Sequence, residues 1–140
     1  MSSNTLYSHE ISLRTRYSET DQMGIVYHSN YLQYLEMGRV EWLRSLGVSY
    51  KDLEDQGWLL PVIRAELDFK KPATYDEWLT IKTTLINPPQ VRISFQYEIR
   101  NEAQELLIQA KTTLAFMEKN SFSPVRCPDF ILDRLAAQSS

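Results

Sequence analysis

Residues Thr20-Asp21-Gln22-Met23-Gly24-Ile25-Val26-Tyr27-His28-Ser29-Asn30-Tyr31 set a single carboxylate in a tight, glycine-containing bend just ahead of a helical pattern. A helix start presents unpaired backbone N–H groups and the positive end of the helix dipole, so it suits developing negative charge. A carboxylate beside such a start can attack a carbonyl or activate water while the amides hold the oxyanion. That is the chemistry of a small hydrolytic centre. On spacing alone, the reading of Asp21 as a turn or N-cap residue is favoured, because aspartate is common in that place before a helix.

The flanking pattern shows what must position these groups. Ile11, Leu13, Thr15 and Tyr17 alternate with polar neighbours and predict a first strand over Glu10 to Tyr17. From Ser29 to Leu46 the period becomes helical, with Leu32, Leu35, Arg39, Trp42, Leu43 and Leu46 on one side, Tyr31 and Gly38 at its edge, and Gly47 as the stop. Gly38 costs roughly 1 kcal/mol against alanine in mid-helix, which predicts that the helix passes close to another backbone there, in a sheet. A short helical turn around Tyr50 to Gln56 ends at Gly57.

Strand patterns follow over Leu59 to Phe69, Trp78 to Ile86, Val91 to Arg100 and Leu106 to Phe116, separated by Pro72, Asp76-Glu77, Asn87-Pro88-Pro89 and Asn101 to Gln104. A last short helix is expected over Pro128 to Ala137. One long helix and about five strands joined by short reversals imply an α+β fold with an antiparallel sheet curled around the helix. The opposite sheet face carries charged and hydroxyl residues together with Leu60, Val62 and Leu107. Unprotected edges on so long a sheet predict a homodimer with a joined sheet, or a higher assembly.

At 140 residues, 43% hydrophobic and 24% charged, the chain reads as one domain over 1–140. A formal charge of −3 speaks against nucleic-acid binding, which calls for a basic face. No apolar run is long enough for a membrane span, and the polar N-terminus lacks a signal-peptide core. The lone cysteine, Cys127, fits a reducing cytoplasm and reads as a packing residue before Pro128. With only His9 and His28 beside it, no structural zinc site is expected.

The stretch Arg14 to Gly47, with Leu60-Pro61-Val62-Ile63 and Asp68-Phe69-Lys70-Lys71-Pro72-Ala73, resembles the hotdog-fold acyl-CoA thioesterases of the 4-hydroxybenzoyl-CoA thioesterase family. Within that family it is most similar to the branch of the Tol–Pal-associated acyl-CoA thioesterases. The family motif is an Asp, two variable residues, Gly, two aliphatics, two aromatic or histidine positions, and a Tyr three further on. Asp21, Gly24, Ile25, Val26, Tyr27, His28 and Tyr31 fill every place, and Glu36, Arg39 and Gly47 fall where the branch has them. The extended motif, unlike a lone Asp-x-x-Gly, outweighs the capping reading of Asp21.

The resemblance implies a hotdog fold, hydrolysis of an acyl-CoA to free acid and coenzyme A without metal or organic cofactor, and homodimers or homotetramers with sites between subunits. It implies Asp21 as nucleophile or general base, two roles that sequence does not separate, and the backbone N–H of His28 as oxyanion donor. The His28 imidazole is a candidate catalytic group, with orienting substrate, bonding a carboxylate and simple packing all open. Gly24, Ile25, Val26, Tyr27 and Tyr31 are expected at the substrate, with Gly24 also serving the backbone turn. Candidates for the coenzyme A phosphates are Lys70, Lys71, Arg64 and Arg92. The substrate could also be an acyl-carrier-protein thioester. Two rivals remain: a non-catalytic thioester-binding scaffold, and a hydroxyacyl-thioester dehydratase, whose proline-bearing histidine motif this sequence lacks.

Overall fold

A computed structural model describes residues 7–138; the polar start of the chain, read above as free of a signal core, lies outside the described residues. In chain order the elements are β1 (Tyr7–Arg14), α1 (Asn30–Ser45), α2 (Tyr50–Asp55), β2 (Trp58–Leu59), β3 (Val62–Phe69), β4 (Trp78–Leu85), β5 (Arg92–Arg100), β6 (Leu106–Ala115), β7 (Met117–Glu118) and α3 (Asp129–Gln138). Five strands form an antiparallel sheet in the order β1-β4-β5-β6-β3, with a small β2-β7 pair beside it. This is the expected α+β layout.

The sheet forms because β4, β5 and β6 bury every second residue, apolar except for Thr83 and Thr112. Leu79, Ile81 and Leu85 on β4 and Ile93, Phe95, Tyr97 and Ile99 on β5 are buried on the face that receives α1. Trp42 of α1 packs edge-to-face on Phe95 at 4.8 Å and tilted on Tyr7 at 5.5 Å.

The helix face is rotated from the sequence expectation. Leu32 is 48% exposed, while Tyr34 is buried beside Tyr31, Leu35, Arg39, Trp42 and Leu43. Helical spacing gives the width of a stripe, and the neighbouring bend decides which edge is covered. Gly38 does meet the sheet, but it meets side chains and not a backbone. A Cβ there would lie 2.6 Å from Thr83 Oγ1 and 3.1 Å from Ile81 Cγ2.

Three other expectations need correcting. The first strand spans Tyr7–Arg14 and gives way to a 3-10 turn at Tyr17–Glu19. The run from Leu59 to Phe69 is broken at Pro61 into β2 and β3, as a residue without an N–H interrupts a ladder. Leu60 and Leu107 are buried in the core instead of standing on the outer face; Leu107 lies at the register shift between β5 and β6.

Among the described residues β3 bonds only β6, and nearly all of its residues are exposed, including Val62 at 43%, Ile63 at 48% and Phe69 at 57%. It is an unprotected edge with apolar side chains.

Candidate functional site

The bend ahead of α1 is built by its own backbone. Asp21 N–H donates to the Ile25 carbonyl at 2.9 Å, Gly24 N–H donates to the Asp21 carbonyl at 3.0 Å, and Thr20 bridges Val26. Gly24 sits at φ +80°, which a side chain would resist. The bend is tied to the β3–β4 connection: Val26 N–H donates to the Ala73 carbonyl at 2.8 Å, and Ile25 bridges Thr74. From the helix side, the Tyr31 hydroxyl accepts from Ala73 N–H at 3.1 Å.

Glu19 joins this bend to α1, and sequence reasoning missed it. It is 6% exposed; its carboxylate accepts from the Arg16 backbone at 2.8 Å, the Arg16 guanidinium at 3.1 Å and the Tyr34 hydroxyl at 2.7 Å. Its carbonyl accepts from Tyr27 N–H at 2.8 Å and the Asn30 side chain at 2.9 Å. Burial pushes the Glu19 carboxyl upward, but the donors of Arg16 and Tyr34 outweigh it and hold it below the usual value. Burial first, and then the bond to Glu19, push the Tyr34 hydroxyl far up, so it stays protonated as the donor. The one available signal was an acidic residue two positions before Asp21, which is indistinguishable from an ordinary surface charge.

Asp21 is half-buried on the wall of a 280 Å³ cleft. Its Oδ1 accepts from Met23 N–H at 2.8 Å and, weakly, from Ile25 N–H at 3.4 Å. No donor among the described residues reaches Oδ2. One oxygen therefore holds the bend and the other is unbonded among the described residues.

The same cleft is lined by Ile25, Val26, Tyr27, His28 and Tyr31 on one side and by Phe69, Lys70, Lys71 and Pro72 on the other. At its mouth the helix is uncapped: Ser29, in the N-cap position, makes no side-chain cap, and the amides of His28 and Ser29 have no acceptor among the described residues. These are the free donors that a helix start supplies. The exposed His28 ring stacks on Tyr27 at 4.4 Å and makes no hydrogen bond to Asp21. Tyr31 is both wall and core, being 2% exposed. Gly24, expected at the substrate, instead shapes the bend and does not line the cleft, because its φ of +80° is spent on the turn.

Of the four basic candidates, Lys70 and Lys71 stand at the cleft, Lys71 paired with Glu105. Arg64 pairs with Glu66 at 3.0 Å and lies with Arg92 on a separate groove. Burial pushes the Cys127 thiol up to about 12, leaving it unreactive near neutral pH.

The arrangement therefore offers a carboxylate oxygen, unpaired amides at the positive end of a helix, apolar walls and cationic side chains at the rim. It suits an acyl group carried on an anionic handle.

Comparison with known proteins gives the same picture. Residues 15–135 match the model of the Thioesterase-like superfamily. "Putative acyl-CoA thioesterase YneP" of Bacillus subtilis is 40% identical over 114 residues, covering 81% of this chain and 83% of that protein. The acyl-CoA thioester hydrolase YbgC of Escherichia coli O157:H7 is 27% identical over 86% of this chain and 90% of its own. Among solved structures, the DHNA-CoA thioesterase of Staphylococcus aureus superposes with a TM-score of 0.85 and 34% identity over 93% of this chain and 87% of that one. The bend, α1 and β3 that line the cleft all fall within the matched region, and the chain belongs to the thioesterase-like superfamily of hotdog fold.

Proposed function

We propose that this protein hydrolyses acyl-CoA thioesters to a free acid and coenzyme A. The observation that carries the reading is that one cleft is lined both by Asp21, whose Oδ2 meets no donor among the described residues, and by His28, whose backbone N–H meets no acceptor among them. Thioester hydrolysis asks for little more. The carbonyl is already electrophilic, and the departing thiol has a pKa of about 8.5, so no strong general acid is needed. Asp21 attacks the carbonyl or takes a proton from the attacking water. The amide of His28 receives the developing oxyanion, helped by the positive end of α1. The His28 imidazole, stacked on Tyr27, orients the acyl group, and Lys70 and Lys71 meet the phosphates of coenzyme A.

The working unit is a homodimer joined through β3. A 280 Å³ cleft lies just below the range of about 300–1,000 Å³ that encloses a small molecule, so a second wall is needed. The apolar β3 edge ends at Phe69, on that cleft, and a second copy pairing there supplies the wall. Among the described residues no helix is long and apolar enough to cross a membrane; a coenzyme A substrate and a lone cysteine support a cytoplasmic enzyme.

A thiol-release assay over short, long and aromatic acyl-CoA substrates, and an acyl-carrier-protein thioester, tests the reading. Turnover of at least one class is expected. Tight binding with no thiol release across the panel would instead make the protein a thioester-binding scaffold, and an enoyl product would make it a dehydratase.

A further inference from the structure

Asp21 and the head of α1 belong to separate pieces of chain, and the reaction needs them at a fixed separation. Misplacing a reacting group by about 1 Å can cost about 100-fold in rate. Asp21 does not hold the helix itself. Among the described residues all of its hydrogen bonds, backbone and side chain, close on the bend of residues 21–25.

Two residues earlier, Glu19 makes the connection. Its carbonyl accepts from Tyr27 N–H at 2.8 Å and from the Asn30 side chain at 2.9 Å, and its carboxylate accepts from the Tyr34 hydroxyl at 2.7 Å. These contacts bracket His28, whose amide is unbonded among the described residues: the bonded Tyr27 amide directly precedes it, and Asn30 and Tyr34 follow on the first turns of α1.

The side-chain arm of this joint is more than a surface ion pair. Glu19 is 6% exposed and Tyr34 1%, whereas the Arg16 side chain that pairs with the carboxylate is 73% exposed. A carboxylate that only closed the turn at Tyr17–Glu19 could do so at the surface with Arg16. Burying it is costly, and the bond that requires its burial is the one to Tyr34, fifteen residues away. Neither Glu19 nor Tyr34 lines the Asp21 cleft, so neither is placed to touch substrate.

We propose that Glu19 is a positioning residue for the hydrolysis: through Tyr34, Tyr27 and Asn30 it fixes the separation between the Asp21 carboxylate and the His28 amide, and so governs turnover and not substrate affinity. This rests on the thioesterase reading above.

The test assays thiol release by wild type, Glu19→Gln, Glu19→Ala, Tyr34→Phe and the double variant Glu19→Ala/Tyr34→Phe, on the acyl-CoA that wild type turns over fastest, well below the melting midpoint of each protein. Glutamine keeps an oxygen for Tyr34, so its kcat should stay within about threefold of wild type. Tyr34→Phe removes the hydroxyl alone and should lower kcat about 10-fold, and Glu19→Ala, which strands that hydroxyl, about 100-fold. KM should move by less than about threefold in every variant. The double variant should be no slower than Glu19→Ala, because both changes act through one bond. Ile131→Val, in the core under α3 and away from the cleft, lowers the melting midpoint without touching the joint, and its kcat should match wild type.

Wild-type kcat in Tyr34→Phe and Glu19→Ala, a loss carried by KM, additive effects in the double variant, or Glu19→Gln as slow as Glu19→Ala overturns the proposal. So does a fall of kcat in Ile131→Val in step with its midpoint, which would make the losses a matter of stability. Should Glu19→Ala not fold, Tyr34→Phe and Glu19→Gln decide between the same outcomes. A wild type that releases no thiol from any substrate removes the hydrolase reading and the proposal with it, whereas an active wild type with unaffected variants removes the proposal alone.

Discussion

Replacing Asp21 by Asn and, separately, by Ala separates its two jobs. Oδ1 holds the bend through Met23 N–H at 2.8 Å and the longer contact to Ile25 N–H at 3.4 Å, while Oδ2 meets no donor among the described residues and Asp21 lines the cleft. Asparagine keeps a carbonyl oxygen for the bend but puts an amide where the base or nucleophile stood. One good and one marginal hydrogen bond, each weakened by the loss of charge in a half-exposed site, amount to less than about 1 kcal/mol. Alanine removes both acceptors and leaves the Met23 N–H to water, at about 1–2 kcal/mol. Turnover should fall in both variants by at least about 100- to 10,000-fold, the contribution of a positioned acid–base group. The assays are thiol release at saturating acyl-CoA and thermal melts of the three proteins. Asp21→Asn should melt within a few degrees of wild type and still bind acyl-CoA. Should the asparagine variant turn over at the wild-type rate, or should activity track melting temperature through Asn and Ala alike, the residue would be a turn former and the chemistry would belong elsewhere.

Gly38→Ala should destabilise the fold, despite a helix-propensity gain of roughly 1 kcal/mol. The new Cβ meets Thr83 Oγ1 and Ile81 Cγ2, both one bond from a β-carbon and unable to swing far, so overpacking of about 1–3 kcal/mol wins. Addition of Thr83→Ala should restore part of the lost melting temperature. Glu19 gives an acid limb to stability. Its folded pKa is depressed, so its contribution is complete above the unfolded value of about 4.3 and is lost as pH falls through the folded value. Melts between pH 2 and 7 should show that limb in wild type and a shallower one in Glu19→Gln; identical slopes would exclude the role. Ile63→Lys, on the exposed β3 edge, should shift the protein to monomer in sedimentation equilibrium and lower turnover with it. A dimer that survives the substitution would place the joint on another surface.

Local patterns were legible because local physics makes them. The alternation of Ile93, Phe95, Tyr97 and Ile99 shows that β5 buries one face, and Gly24 at φ +80° marks a bend that other residues resist. The spacing from Asp21 through His28 to Tyr31 put a carboxylate, a helix start and an aromatic wall within one short segment, and the fold lines one cleft with all three. Other features had no local signature. Glu19 looks like any surface acid until Arg16 and Tyr34 close on it, and Leu32 matched the helical stripe that the bend left uncovered. Arg39 was legible as a residue on the helix's inner side, but its burial depends on α2 and β5 arriving from elsewhere in the chain. Periodicity along a chain gives the direction in which a side chain points; what it meets there is set by segments distant in sequence, and only their packing decides it.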